Sequence, residues 1–114
     1  MTFEAYDVVV VPFPFTDRTA TKRRPALVIS DGIAFNAKVG HSELAMITSA
    51  KNSDWPEDTV ISDLDAAGLS SDSVIRMKLF TLDNQLILRR AGSLASKDRA
   101  GVRDSLSRVL GLSG

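Results

Sequence analysis

The sequence predicts a mainly β fold, a small, strongly curved sheet or partly closed barrel with a covering C-terminal α-helix. Its apolar segments are short, rich in Val, Ile and Leu, and separated by turn residues, which is the pattern of strands. About six such segments occur, and a sheet of that size buries its faces by curving or by taking a helix on one side. The clearest helical periodicity lies at the C-terminus.

The first strand is predicted near Asp7 to Val11, where four consecutive valines imply burial on both faces. Pro12 and Pro14 are expected to end it, because neither has an amide hydrogen for a ladder. A polar, basic loop follows from about Thr16 to Arg23. The second strand spans Arg24 to Ser30, with Pro25 tolerated at a strand start or an edge. Asp31-Gly32 begins a turn, and the stretch to Gly40 reads as irregular. The third strand is Glu43 to Ser49. Asn52 to Asp58 reads as a loop carrying Trp55 and Pro56.

A fourth strand fits Thr59 to Ser62. A short helix fits Asp63 to Ala67, stopped by Gly68. Further strands fit Ser73 to Met77 and Leu88 to Ala91. In the C-terminal helix, Ser96 reads as the N-cap and Asp98 suits the first turn by charge. Val102, Leu106, Val109 and Leu110 form one apolar face, and Gly111 ends the helix.

The 114 residues read as one domain with its own core. Hydrophobic residues make up 44% and charged residues 25%, a balance that excludes a disordered chain. There is no cysteine, which removes disulfides, thiolate zinc sites and a cysteine nucleophile. No apolar run approaches the roughly 20 residues of a membrane span. The opening Met1-Thr2-Phe3-Glu4 lacks the basic stretch of a signal peptide, so a cytoplasmic location is expected, with no membrane partner.

Formal net charge is zero, which weighs against a nucleic-acid binder. The charge is uneven, however. Arg18, Lys22, Arg23 and Arg24 fall in one segment, and Arg76, Lys78, Arg89 and Arg90 form a looser group. Local patches of this kind hold phosphates on a neutral protein.

Metal and serine chemistry find little support. His41 is the single histidine and has no ligand partners at suitable spacing. Asp63 and Asp65 read as helix-start residues. Gly-x-Ser-x-Gly and phosphate-loop motifs are absent. What remains is centred on arginine. Arg24 stands where a basic loop enters a strand stiffened by Pro25. A guanidinium fixed there holds a phosphate bidentately, or it is a solvated charge before a strand. Thr48 and Ser49 end the third strand. Their hydroxyls donate to a phosphate oxygen, or they cap backbone groups.

Several blocks resemble a known family. Val8-Val9-Val10-Val11-Pro12-Phe13-Pro14-Phe15-Thr16-Asp17 resembles the opening strand and loop of the PemK-like branch of the MazF toxins. Lys22-Arg23-Arg24-Pro25-Ala26-Leu27-Val28-Ile29-Ser30 resembles the family's arginine-proline strand, and Ala45-Met46-Ile47-Thr48-Ser49 its threonine-bearing strand. Asp72 to Arg76, Phe80 to Asp83 and Arg89 to Leu94 resemble later blocks, in order. Tyr6-Asp7 replaces the family's usual Gly-Asp. Tyrosine adopts left-handed geometry less readily than glycine, so the entry to that strand is expected to differ.

The resemblance implies a barrel-like β fold of the Src-homology-like, CcdB/PemK type. It implies a homodimer with an RNA groove along its interface and a cognate antitoxin as partner. It further implies cofactor-free, metal-independent, sequence-selective cleavage of single-stranded RNA, with Arg24 and Thr48 as catalytic residues. The 2′-hydroxyl would attack the adjacent phosphorus, with Arg24 stabilising the growing negative charge. Around them, Phe15, Arg18, Lys22, Arg23, Ser49 and Arg76 are candidate RNA contacts: the cations on phosphates, Phe15 by stacking on a base or else as a packed core aromatic, and Arg76 facing either the groove or solvent. His41 has the right pKa for a general base, but nothing in the sequence brings it to Arg24. Two other readings compete: a toxin of the same fold that binds DNA gyrase without catalysis, and an RNA-binding module that does not cut.

Overall fold

Six strands among the described residues form one antiparallel sheet. They are β1 (Asp7–Phe13), β2 (Lys22–Val28), β3 (His41–Ser49), β4 (Thr59–Val60), β5 (Ser73–Asp83) and β6 (Arg89–Ser93). Their order across the sheet is β4-β5-β3-β2-β1-β6, and the sheet curls into a half-barrel. This computed structural model describes residues 2–13, 22–52 and 54–112. Three helices accompany the strands: α1 (Ala37–Val39), α2 (Leu64–Ala67) and the long α3 (Ser96–Val109). None of the helices among the described residues is long and apolar enough to cross a membrane.

The central strands are buried on both faces, as the valine run predicts. Val8 joins Leu27, Ala45, Ile47, Ile75 and Met77 on one face, where α2 and α3 contribute Ala67 and Val102. Val9 and Val11 join Ala26, Val28, Leu44 and Leu82 on the other face, with Phe3 and Ile87 packed against them. Even-numbered residues of β2 therefore face away from the helices and odd-numbered ones face toward them, the period-two rule of a pleated strand.

Both strand prolines sit where the ladder is locally open. β1 does not end at Pro12, as predicted, but continues through Phe13, with Pro12 opposite Arg23. The Val10 carbonyl accepts from Leu88 N, so Val10 turns its backbone toward the β6 side, and alternation turns Pro12 the same way. Pairing with β6 stops at Val10, so no ladder donor is required of Pro12. Pro25 repeats the arrangement on the other side of β2. Ile29 N donates to Glu43 O, so odd-numbered residues of this segment face β3. The β2–β3 pairs cover only Ala26 to Val28, and Pro25 lies just past them.

β5 runs beyond Met77, where the sequence pattern predicted its end, to Asp83. The pairs Ala45↔Leu79 and Met46↔Arg76 leave Met77 and Lys78 as extra residues. Such a bulge bends the strand and breaks its apolar alternation, which hid the second half from the sequence pattern. The stretch read as irregular carries a π-helical turn, Gly32–Asn36, capped by Asp31, whose Oδ2 accepts from Ala34 N at 2.7 Å.

Tyr6 takes the left-handed conformation (φ 74°) despite its side chain. That geometry costs about 1–3 kcal/mol in a non-glycine residue. Offsetting contacts surround it. Tyr6 N donates to Val28 O at 2.7 Å, Tyr6 O accepts from Leu94 N at 2.9 Å, and Arg99 stacks 4.9 Å from the ring centre.

The C-terminal helix differs from expectation at both ends. Ala95 rather than Ser96 is the N-cap and supplies no side-chain bond. Asp98 is 6% exposed and does more than complement the helix dipole. It accepts from Ser62 N, Ser62 Oγ (2.6 Å) and Asp63 N, tying α3 to the start of α2. Val102 is buried and Leu106 packs on the core, but Val109 and Leu110 are exposed. α3 lies over β4 and β5, and β4 is only two residues long. Toward β6 the packing is closer. A side chain at Gly92 would stand 2.4 Å from Ala66 O, so α2 approaches β6 at backbone distance.

Candidate functional site

The two residues expected to do chemistry stand on neighbouring strands just past the end of the β2–β3 pairing. Register pairs Val28↔Leu44, Leu27↔Ala45 and Ala26↔Met46 step by one residue on each strand, so continuing them sets Arg24 opposite Thr48. Both residues share the face of Ala26, Val28 and Leu44, away from the helices. The ladder has stopped by then. Residues 22–25 pair only with β1, and Ile47, Thr48 and Ser49 pair only with β5. The two strand ends thus flank a split in the sheet.

Arg24 is exposed and stacks on Phe13, with its guanidinium carbon 5.6 Å from the ring centre. A cleft of about 450 Å³ lies on the other, helix-facing side of β2, lined by Arg23, Pro25, Ser70, Ser71 and Arg89, with Arg24 at its edge. Arg23, Arg24 and Arg89 form no ion pair among the described residues. Their charge is available to an anion, and a cleft wall concentrates its field. Lys22 is exposed at the start of β2. Phe15 and Arg18 lie outside the described residues.

Thr48 is half-buried, and its Oγ1 accepts from Asn52 Nδ2 at 3.4 Å. Ser49 points to the opposite face by alternation, and its Oγ accepts from Lys51 N at 3.3 Å. It serves the backbone-capping role and stands apart from Thr48. Arg76 is on Thr48's face, since it pairs with Met46 while Val74 pairs with Thr48. It is not an open cation, however. Asp58 accepts from its Nε (3.3 Å) and Nη2 (2.9 Å), and Asn52 O accepts from Nη2 at 2.6 Å. The Asp58 carboxylate raises the Arg76 pKa above its ordinary value, chiefly through these hydrogen bonds.

His41 opens β3, seven residues from Thr48, which is roughly 23 Å along an extended strand. Its Nδ1 lies 3.0 Å from Val39 O. That placement removes it as a proton acceptor at Arg24. Asp63 caps α2 by accepting from Ala66 N at 3.0 Å, the helix-start role read for it.

The sequence matches the family of PemK-like, MazF-like toxins of type II toxin-antitoxin systems over residues 4–110. The chain belongs to that family. A comparison with curated protein sequences gives no match. Among solved structures, MazF-type toxins share the fold. The chain in a MazE–MazF crystal structure from Deinococcus radiodurans superposes with a TM-score of 0.75 at 23% identity, covering 97% of each chain. An endoribonuclease from a mycobacterial species gives 0.76 at 16% identity, covering 100% of this chain and 96% of that one. The Mycobacterium tuberculosis toxin MazF-mt6 gives 0.72 at 14% identity, covering 92% and 96%.

Four features of the site depend on contacts that the sequence alone does not show. Arg89 was placed in a basic group but not beside Arg23, and Ser70 and Ser71 were not singled out. The pairing Val10↔Arg89 brings Arg89 in, and strand order is what a single sequence hides. Asp58 precedes β4, whose pair Thr59↔Ile75 sets it beside Arg76. Trp55 read as a loop residue, yet its ring lies 5.2 Å from the Arg76 guanidinium carbon.

Proposed function

We propose that this toxin cleaves single-stranded RNA by attack of a 2′-hydroxyl on the adjacent phosphorus, using Arg24 and Thr48 and requiring no metal. The observation that carries this reading is their placement on one face, opposite each other across the split between β2 and β3. A phosphate seated in the split meets a guanidinium from one strand and a hydroxyl from the next.

In the reaction the bond from O2′ to phosphorus forms and the bond to O5′ breaks, the 2′-hydroxyl giving up its proton to solvent and O5′ taking one from it, which yields a 2′,3′-cyclic phosphate and a 5′-hydroxyl. Negative charge grows on the non-bridging oxygens. Arg24 supplies fixed donors and a charge that persists at any working pH, and its stacking on Phe13 limits its rotamers. Thr48 donates its hydroxyl to a second oxygen. Lys22 holds a neighbouring phosphate on the face of Arg24, Arg23 and Arg89 hold more distant ones along the cleft, and Arg18 and Phe15, earlier in the chain, add a phosphate and a base contact. Single strands are favoured because bases must splay to present the backbone in line.

Family membership supports a biological setting as well. We assign this toxin a cytoplasmic location, a homodimeric state and a cognate antitoxin whose acidic segment occupies the basic cleft.

The test incubates wild type, Arg24→Ala and Thr48→Val with a long single-stranded RNA in EDTA and maps the ends. Cutting by wild type alone, at a recurring motif with 5′-hydroxyl ends, is expected. No cutting by a folded wild type that still arrests growth would overturn the reading and favour a gyrase-type target.

A further inference from the structure

We infer that Trp55 is a stacking subsite for an unpaired nucleobase next to the phosphate position at Thr48, with Arg76 acting as its platform. This inference rests on the ribonuclease reading of Thr48. It assigns Arg76 a part different from the phosphate contact expected of it.

Trp55 is 45% exposed and lies in the segment between β3 and β4. A tryptophan left this open presents apolar area to water without contributing it to a core. Beside it, the Arg76 guanidinium packs over the ring. That guanidinium is itself fixed by Asp58 and by Asn52 O, and the Asp58 side chain is 6% exposed. The charge of Arg76 is therefore already balanced, and binding a phosphate would require breaking a buried ion pair. What the arrangement offers instead is a held aromatic ring. One part of the ring meets the cation, and the exposed part is open to a second flat partner.

The position is adjacent to the proposed chemistry. Asn52 joins the two, since its carbonyl accepts from Arg76 while its side-chain amide donates to Thr48 Oγ1. Arg76 and Thr48 also share a sheet face, with Met46↔Arg76 two residues along β3 from Thr48↔Val74. A nucleotide whose phosphate reaches Thr48 thus places a flanking base within range of Trp55. Stacking is tolerant of base identity, but the larger purine surface covers more of the ring. The ligand class is an unpaired base of single-stranded RNA, purine over pyrimidine.

The chain has one tryptophan, so its emission reports this site alone. The experiment titrates wild type with short 2′-O-methylated oligoadenylate and oligouridylate, which cannot be cut. In parallel it measures RNA cleavage by wild type, Trp55→Ala and Trp55→Phe. We expect quenching, stronger with the purine, and a KM for Trp55→Ala raised roughly five- to a hundredfold, the range stacking supports. The kcat should fall less, and Trp55→Phe should recover most of the loss. A KM unchanged in Trp55→Ala overturns the subsite, as does an emission that RNA does not move. If wild type cuts nothing but is still quenched, the ribonuclease reading falls and the base site stands. If it neither cuts nor is quenched, both fall.

Discussion

Arg24 and Arg76 stand on the same face of one sheet, and their surroundings are opposite. Arg24 is exposed, rests on Phe13 and forms no ion pair among the described residues. Arg76 is largely covered, held by Asp58 and Asn52 and roofed by Trp55. Residue type and strand position are alike, so neither separates a working cation from a structural one. A carboxylate within reach does. Where it is present the charge is spent on the fold, and where it is missing the charge remains for a ligand.

The largest effect should come from the open arginine. Arg24→Ala is expected to lower kcat for RNA cleavage by about 100- to 1,000-fold, the usual cost of a lost oxyanion donor, with the melting temperature unchanged. A variant that unfolds instead would erase the contrast. Asp58→Ala tests the closed one. It should lower the melting temperature and raise KM through the loosened Trp55, while leaving cleavage far above that of Arg24→Ala. Thermal unfolding beside single-substrate kinetics reads both.

The remaining predictions concern the scaffold that sets the two apart. Gly92→Ala should cost about 1–3 kcal/mol in denaturant unfolding, because a methyl there meets backbone atoms of Ala66 and Ala67 at under 3 Å. Asp98→Asn should cost about 1–3 kcal/mol at neutral pH, the worth of hydrogen bonds to a buried charge. Burial alone would raise the Asp98 pKa, but donors from Ser62 and Asp63 outweigh it and hold the carboxyl below its ordinary value. A lowered folded pKa gives stability that is complete above the unfolded pKa, about 3.9. It is lost as pH falls through the folded value. The wild-type acid limb should therefore be steeper than that of Asp98→Asn. The smallest effect is expected from Ser49→Ala, which faces away from Thr48 and should leave cleavage near wild type.

Much of this was legible in the residues. The valine run gave a strand buried on both faces, and Gly68 stopped a short helix where it was expected to. Local sequence left Arg24 and Thr48 open between phosphate contact and ordinary strand-end roles, and the family resemblance singled them out; β2 in fact begins at Lys22, two residues before Arg24. The rest depended on what lies across the sheet. The bulge at Met77 and Lys78 erased the alternation that would have shown β5 in full. Val109 and Leu110 kept helical spacing yet lie exposed, past the part of α3 that carries Val102 and Leu106 onto the core. Asp58 is 18 positions from Arg76, and only the pairing of β4 with β5 makes them neighbours. Ser49 adjoins Thr48 in the chain, but the pleat sends it to the other face.

Pro25 carries one more implication. Continued register would set it opposite Ile47, at a position where β2 should donate an amide hydrogen to β3. Pro25 has none to give. Pairing of the two strands past Ala26 is therefore disfavoured by about one ladder hydrogen bond, roughly 1 kcal/mol. At the edge of the proposed phosphate site, Pro25 both removes a donor and sets its ring carbon where the amide hydrogen would point. Exchanging Pro25 for an ordinary residue would restore the donor and let the sheet heal over its own site.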